Sequence, residues 1–261
     1  MRDSPSCCSA ADSRSALRRG QQPLRAGSRC GPAGLRSRAG ADIGKANKWG
    51  IEAMAELEIV GVPFSNYVRS VRMLCEEKGA AYKLVPSLPQ SPEVVAIHPA
   101  GQIPVMRHGD VALFESKAIA TYIDRTFPGP KFIPDEPVAQ AQVEQWVSYG
   151  NVKVDRWIMR EFVVPSVFFD KAKGPDTARI TASLPEIEKC CKVLDAAVAK
   201  TGHLVGTSLT YADMNVIPML ATLQNFPAGK EIVAKYPALA AYVTNVTGRP
   251  SYTNTAPPPR K

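Results

Sequence analysis

Ser65 stands where an apolar β-type run gives way to a helix-like one, in "GVPFSNYVRSVR", with no histidine or carboxylate near it in sequence to serve as its base. A serine so placed is poorly equipped to be a nucleophile, although its hydroxyl can cap the helix that follows. Downstream, in "HPAGQIPVM", Gly101 permits a tight turn and the Ile103-Pro104 bond begins a strand, where proline removes one donor from the ladder. Were that bond cis, the N–H and C=O of the preceding residue would face outward and could pair with an extended peptide; a trans proline at a strand entrance is the ordinary alternative. Eleven residues on, "FESKAI" sets Glu115 and Ser116 at a strand end and a helix start. The free N–H groups of that first turn and the Ser116 hydroxyl suit a carboxylate, and Glu115 suits an ammonium group, so an amino-acid headgroup would fit. The competing reading is a helix cap beside a solvated glutamate.

The elements that must position these residues are legible from Met54 onward. "LEIVGV" reads as a strand, and the helix after Ser65 carries Val68, Val71 and Cys75 on one face and stops at Gly79, suited to the left-handed position. "AYKLVP" predicts a second strand, and "SPEVVAIHP" a short helix with Ser91 as cap and Pro92 at its first position. Two strands follow across a turn at 108–110, then the helix "SKAIATYIDRTF". The order is βαβαββα. "FPGPKFIPDEP", with four prolines, cannot be absorbed by a helix or central strand and reads as a linker. Beyond it the pattern is helical: Val143, Val147, Gly150, Val154 and Trp157 keep one face, and Ile180, Leu184, Ile187, Cys191, Leu194 and Val198 keep another, with Pro185 predicting a kink or restart. Thr210 and Asp213 have the spacing of a capping box. Two domains are expected, at 54–131 and 138–251, joined by a linker at 132–137, with a disordered basic extension at 1–53 and a flexible tail at 252–261.

Charge narrows the function classes. Residues 1–53 hold ten Lys/Arg against four Asp/Glu, so of the net +8 of the 261-residue chain only about +2 belongs to the remainder. A nucleic-acid partner for the folded part therefore loses its main support. The extension reads as a targeting peptide, a disordered arm, or sequence upstream of a start at Met54. Six cysteines and three histidines show no disulfide framework, CxxC or ligand spacing, so no metal is expected. With no run of 18 apolar residues, no membrane span is expected, and the default is a cytoplasmic protein in a reducing compartment.

"PFSNYVRSVR", "HPAGQIPVM", "FESKAIATYID" and "TYADMNVIP" occur in the order and spacing of the soluble glutathione transferases, and the chain resembles the serine-type, bacterial or phi-like members over about residues 56–250. The resemblance implies a thioredoxin-like domain that binds glutathione, followed by an all-helical domain that supplies most of a hydrophobic co-substrate pocket. It implies that Ser65 hydrogen-bonds the glutathione sulfur, that Gln102, Ile103 and a cis Pro104 contact the tripeptide, and that Glu115 and Ser116 hold its γ-glutamyl end. The nucleophile is then the ligand's thiolate, so Ser65 needs no base. Glutathione acts as co-substrate and no cofactor is implied; the partner is a small electrophile, and a homodimer is expected. Phe64 and Trp157, with Tyr149 as a further candidate, are expected at the co-substrate pocket, although buried aromatics at helical spacing also serve as core. Arg69 and Arg72 could attract an anionic ligand, but the favoured reading puts them on the surface, paired with acids such as Glu76. No residue is assigned to the glycyl carboxylate. Two rivals stand beside this reading: a thiol-disulfide oxidoreductase, which would want cysteine where Ser65 lies, and a non-catalytic binding or adaptor module on the same fold.

Overall fold

The computed structural model describes residues 55–258; the basic extension expected at 1–53 lies outside them. Strand β1 (Glu58–Val60) leads through Gly61 and Pro63 into helix α1 (Asn66–Lys78), then come β2 (Lys83–Val85), α2 (Pro92–Val95), β3 (Val105–His108), β4 (Val111–Phe114) and α3 (Ser116–Thr126). The sheet order is β2-β1-β3-β4, with β1 parallel to β2 and the remaining pairs antiparallel. This is the thioredoxin-like arrangement the βαβαββα order implies. Local signals act as their chemistry dictates. Gly79 takes φ 66° past α1 and donates its N–H to the Cys75 and Glu76 carbonyls, while Gly109 at φ 58° turns β3 into β4.

The second domain is all helical: α4 (Pro137–Tyr149), a π-helix (Gly150–Val163), α5 (Val164–Val167), α6 (Thr177–Val198), α7 (Tyr211–Leu223), α8 (Pro227–Ala234), α9 (Pro237–Thr247) and α10 (Pro250–Asn254). Helix α7 is its centre and is buried along nearly its whole length, so its N-terminus cannot rely on water for its orphan N–H groups. The expected capping box supplies them: Asp213 accepts from the Thr210 N–H at 2.8 Å and its Oγ1 at 3.0 Å, and also from Leu204 N–H and the Tyr242 hydroxyl. Of the kink or restart expected at Pro185, the restart does not occur: α6 runs continuously through it.

The proline-rich connection is held by a buried ion pair. Lys78 Nζ lies 3.3 Å from Asp124 Oδ1 and donates to the Pro130 carbonyl, while Asp124 accepts the N–H groups of Phe132 and Ile133. Such a pair is retained only with its remaining polar atoms satisfied, which these backbone groups do.

Two expectations are corrected. Residues from 252 do not begin a flexible tail: Tyr252 lies in α10, and Thr255 is fully buried. The reason is also the second correction. Arg69 and Arg72 are buried, not on the surface, because α10 covers them. Arg69 stacks over the Tyr252 ring at 3.7 Å and donates to its carbonyl, and Arg72 donates to the Thr255 carbonyl and the Tyr82 hydroxyl. Glu77 completes the clamp by accepting two hydrogen bonds from Arg249 and one from Ser251. Helix α1 is thereby enclosed by α3, α7 and α10.

Candidate active site

An open cleft of about 880 Å³ lies between the sheet domain and the π-helix. Ser65, Gln102, Ile103, Pro104, Glu115 and Ser116, drawn from three separated segments, all line it. Each is placed by a local device. Ser65 is the N-cap of α1, where its Oγ accepts from the Val68 N–H at 3.4 Å; as a hydroxyl it keeps a proton to donate toward the cleft. The Ile103-Pro104 bond is cis. Glu115 occupies the N-cap position of α3 at φ 67°, and Ser116 begins the helix, buried.

Among the described residues only Gln90 and Glu115 are non-glycine residues with positive φ, and both line the cleft. Backbone held in the left-handed region by a side chain that disfavours it is a cost concentrated where geometry matters to function. His98, whose histidine showed no pattern in the sequence, explains part of this. The Ala100 N–H donates to its Nδ1 at 3.1 Å, which leaves Nε2 as the protonated nitrogen, facing Glu115 Oε1 at 3.6 Å. His98 is buried against the Phe114 ring, whereas the Glu115 side chain is 62 % exposed, so the histidine backs a solvent-exposed carboxylate on the cleft wall.

The helical wall departs further from expectation. Phe64 lines the cleft and is 52 % exposed. Trp157 does not line it, and nor does Tyr149. The π-helix is the cause. With about 4.4 residues per turn, the buried face of Gly150 and Val154 continues at Ile158 and Phe162, and residue 157 is turned aside, where Arg156 stacks over its ring at 4.8 Å. The wall is made instead by Asn151, Asp155, Met159, Arg160, Val164 and Phe168, none of which the α-helical reading selects. Tyr67, on α1, also lines the cleft, within the influence of the Asp155 charge. Burial, and then the Asp155 carboxylate, hold its hydroxyl well above the usual phenol value, so it is a neutral donor.

The two halves of the cleft are joined at Tyr211, a fully buried residue at the start of α7. Its hydroxyl donates to the Ser116 carbonyl at 3.1 Å and lies 3.1 Å from Ser70 Oγ of α1, and burial pushes its pKa up to about 12.

Two family profiles match the chain: "Glutathione S-transferase, N-terminal domain" over residues 59–131 and "Glutathione S-transferase, C-terminal domain" over 159–253. Glutathione S-transferase A of Pleuronectes platessa is 31% identical over 173 residues, covering 65% of this chain and 74% of that protein. The chain belongs to the glutathione S-transferase family. Glutathione S-transferase 3 of Zea mays is 29% identical over 222 residues, covering 79% of this chain and 98% of the relative. Among solved structures, a glutathione S-transferase from Methylobacillus flagellatus with GSH bound is 26% identical with a TM-score of 0.66, over 77% of this chain and 100% of that one. The family's two-domain architecture is thus the one observed. The cysteine that a mixed disulfide would require is absent from the start of α1: Cys75 lies near its far end and is buried, and burial first, then the Glu76 charge, raises its thiol far above the reactive range.

Proposed function

We propose that the protein is a glutathione transferase that joins the glutathione thiolate to electrophilic, mostly apolar small molecules. The observation that carries the reading is the convergence on one cleft of a hydroxyl at the N-terminus of α1 and a Glu-Ser pair at the N-terminus of α3. Glu115 and the first turn of α3 with Ser116 match the two charges of a γ-glutamyl headgroup, and Gln102, Ile103 and Pro104 supply an edge along which the tripeptide extends. Ser65 then donates to the sulfur. A free thiol with a pKa of about 8.5 is about 3% ionised at pH 7; lowering it by about two units, through that hydrogen bond and the helix dipole, makes about three-quarters of it thiolate. Sulfur attacks the electrophilic carbon, the carbon–sulfur bond forms, the leaving group departs with its electron pair, and the thiol proton has already gone to solvent. Phe64, Met159 and Val164 supply apolar contact for the electrophile.

We place the tripeptide in a domain of residues 54–131 and the co-substrate wall in 138–251, and we take the working form to be a cytoplasmic homodimer, as the resemblance implies. No helix among the described residues is long and apolar enough to cross a membrane. The test is to titrate the protein with glutathione and with chlorodinitrobenzene, reading binding and conjugate formation separately. Saturable conjugation supports the reading; glutathione binding without conjugate overturns it in favour of an adaptor.

A further inference from the structure

The helical wall of the cleft is not simply apolar. Asn151, Asp155 and Arg160 share it because nine residues make about two turns of a π-helix, whereas in an α-helix they make two and a half and residues 151 and 160 would face opposite ways. Asp155 fixes the arrangement: its side chain is 11 % exposed, it accepts from Arg160 Nε at 3.0 Å, and its charge acts on the Tyr67 hydroxyl. The guanidinium is therefore held by one edge. Its side chain is 60 % exposed, with the Nε edge engaged by Asp155 and the rest of the group on the cleft wall. Burial opposes the Arg160 charge, but the hydrogen bond and charge of Asp155 outweigh it and raise its pKa, so the cation is permanent. A planar fork braced from behind and open in front has the form that grips a carboxylate by two parallel hydrogen bonds.

We propose that Arg160 anchors an acidic group of the co-substrate, so that the electrophiles this enzyme selects carry a carboxylate. The inference rests on the transferase reading above and narrows its substrate class. It also meets an electrostatic need. Among the described cleft-lining residues Arg160 is the sole lysine or arginine, against Asp155 and Glu115, and ionised glutathione adds further negative charge. An anionic electrophile reaches the thiolate in such a cleft only where a cation receives it. Apolar contact from Phe64 and Met159 with a terminal cation describes a site for an aryl or alkenyl acid better than one for a neutral hydrocarbon.

The experiment compares a chloronitrobenzoate, its chlorine ortho to the nitro group, with its methyl ester. In both, thiolate displaces chloride, which leaves with its electron pair, and each kcat/KM is divided by the rate constant of free glutathione thiolate with the same compound. Kd values of the two S-aryl glutathione conjugates are measured in parallel. Wild type is expected to favour the acid by about ten-fold or more, the lower end for a charge-assisted pair because Arg160 is partly solvated. Arg160→Gln abolishes that preference and Arg160→Lys keeps part of it. Arg156→Gln, the same charge change on a residue outside the cleft, leaves the preference intact. An acid-to-ester ratio unaltered in Arg160→Gln overturns the proposal, as does a loss confined to the KM for glutathione, which would place Arg160 on the tripeptide. If wild type turns over neither compound yet binds the acid conjugate more tightly through Arg160, the anchor stands and the transferase reading falls. If it turns over neither and binds both conjugates alike, both fall.

Discussion

On the proposed function, replacing Ser65 by alanine removes two interactions of different size. The hydroxyl accepts from the Val68 N–H at 3.4 Å, a long bond, so the cap is worth the lower part of its usual range, about 0.5–1 kcal/mol of stability. The proton it donates toward the sulfur is worth more, because a hydrogen bond to a charged group contributes about 1.5–3 kcal/mol, or about one to two pKa units of the bound thiol. If the thiol titrates near 6.5 in the wild type and between about 7.5 and 8.5 in the variant, the thiolate fraction at pH 6 falls about 8- to 75-fold. At pH 9 the two proteins differ by less than about two-fold in thiolate, and the more basic sulfur of the variant is the better nucleophile, so its turnover matches or passes that of the wild type. Stopped-flow turnover at saturating glutathione from pH 6 to pH 9, with the ultraviolet absorbance of the bound thiolate read in the same samples, measures both quantities. A loss of activity that stays constant across the range, or no loss at all, would refute the role given to Ser65 while leaving its capping role untouched.

Three further substitutions probe the groups around this site and the packing behind it. His98→Asn should raise the KM for glutathione several-fold with kcat nearly unchanged, since the imidazole backs Glu115 and touches no reacting atom; steady-state kinetics at fixed electrophile decides it, and a fall in kcat alone would count against it. Asp213→Asn should cost about 2–4 kcal/mol and lower Tm by roughly 5–15 °C in calorimetry, because an amide cannot accept from all four donors that the buried carboxylate now satisfies. Burial pushes the Glu77 carboxyl up, but the hydrogen bonds from Arg249 and Ser251 and the Arg249 charge outweigh it and hold the group below the ordinary 4.5. Its stabilising contribution is therefore present above about pH 4.5 and lost as pH falls through the depressed folded value. Glu77→Gln should cost about 1 kcal/mol at pH 7, flatten that acid limb in denaturant titrations, and expose residues 250–258 to proteolysis.

Much of the fold was legible because its boundaries are written in single residues. Gly79 ends α1 where a left-handed residue was required, Pro92 opens α2, Gly109 turns the hairpin, and Thr210 with Asp213 caps α7. The positions of Ser65, Glu115 and Ser116 were legible for the same reason, since they stand at element junctions, four motifs in order tie them together, and all three line one cleft. What stayed hidden depends on register and on distant covering. A helical pattern read at 3.6 residues per turn selects Trp157, whereas the π-helix turns that residue aside and brings forward Asp155 and Arg160. Nothing in the local sequence announces the change of pitch. Arg69 and Arg72 look like solvated charges until α10, over 170 residues away in the chain, is laid across them, and His98 acquires a purpose only when β4 delivers Glu115 beside it.

The phenol at position 211 has an evolutionary corollary. Because one oxygen tethers helices from both halves, hinge-like opening would break two hydrogen bonds inside a dry interior, and the aperture is in effect welded. With opening made costly in this way, reagent preference is more readily altered by exchanging the side chains that face inward from an unusual coil than by flexing.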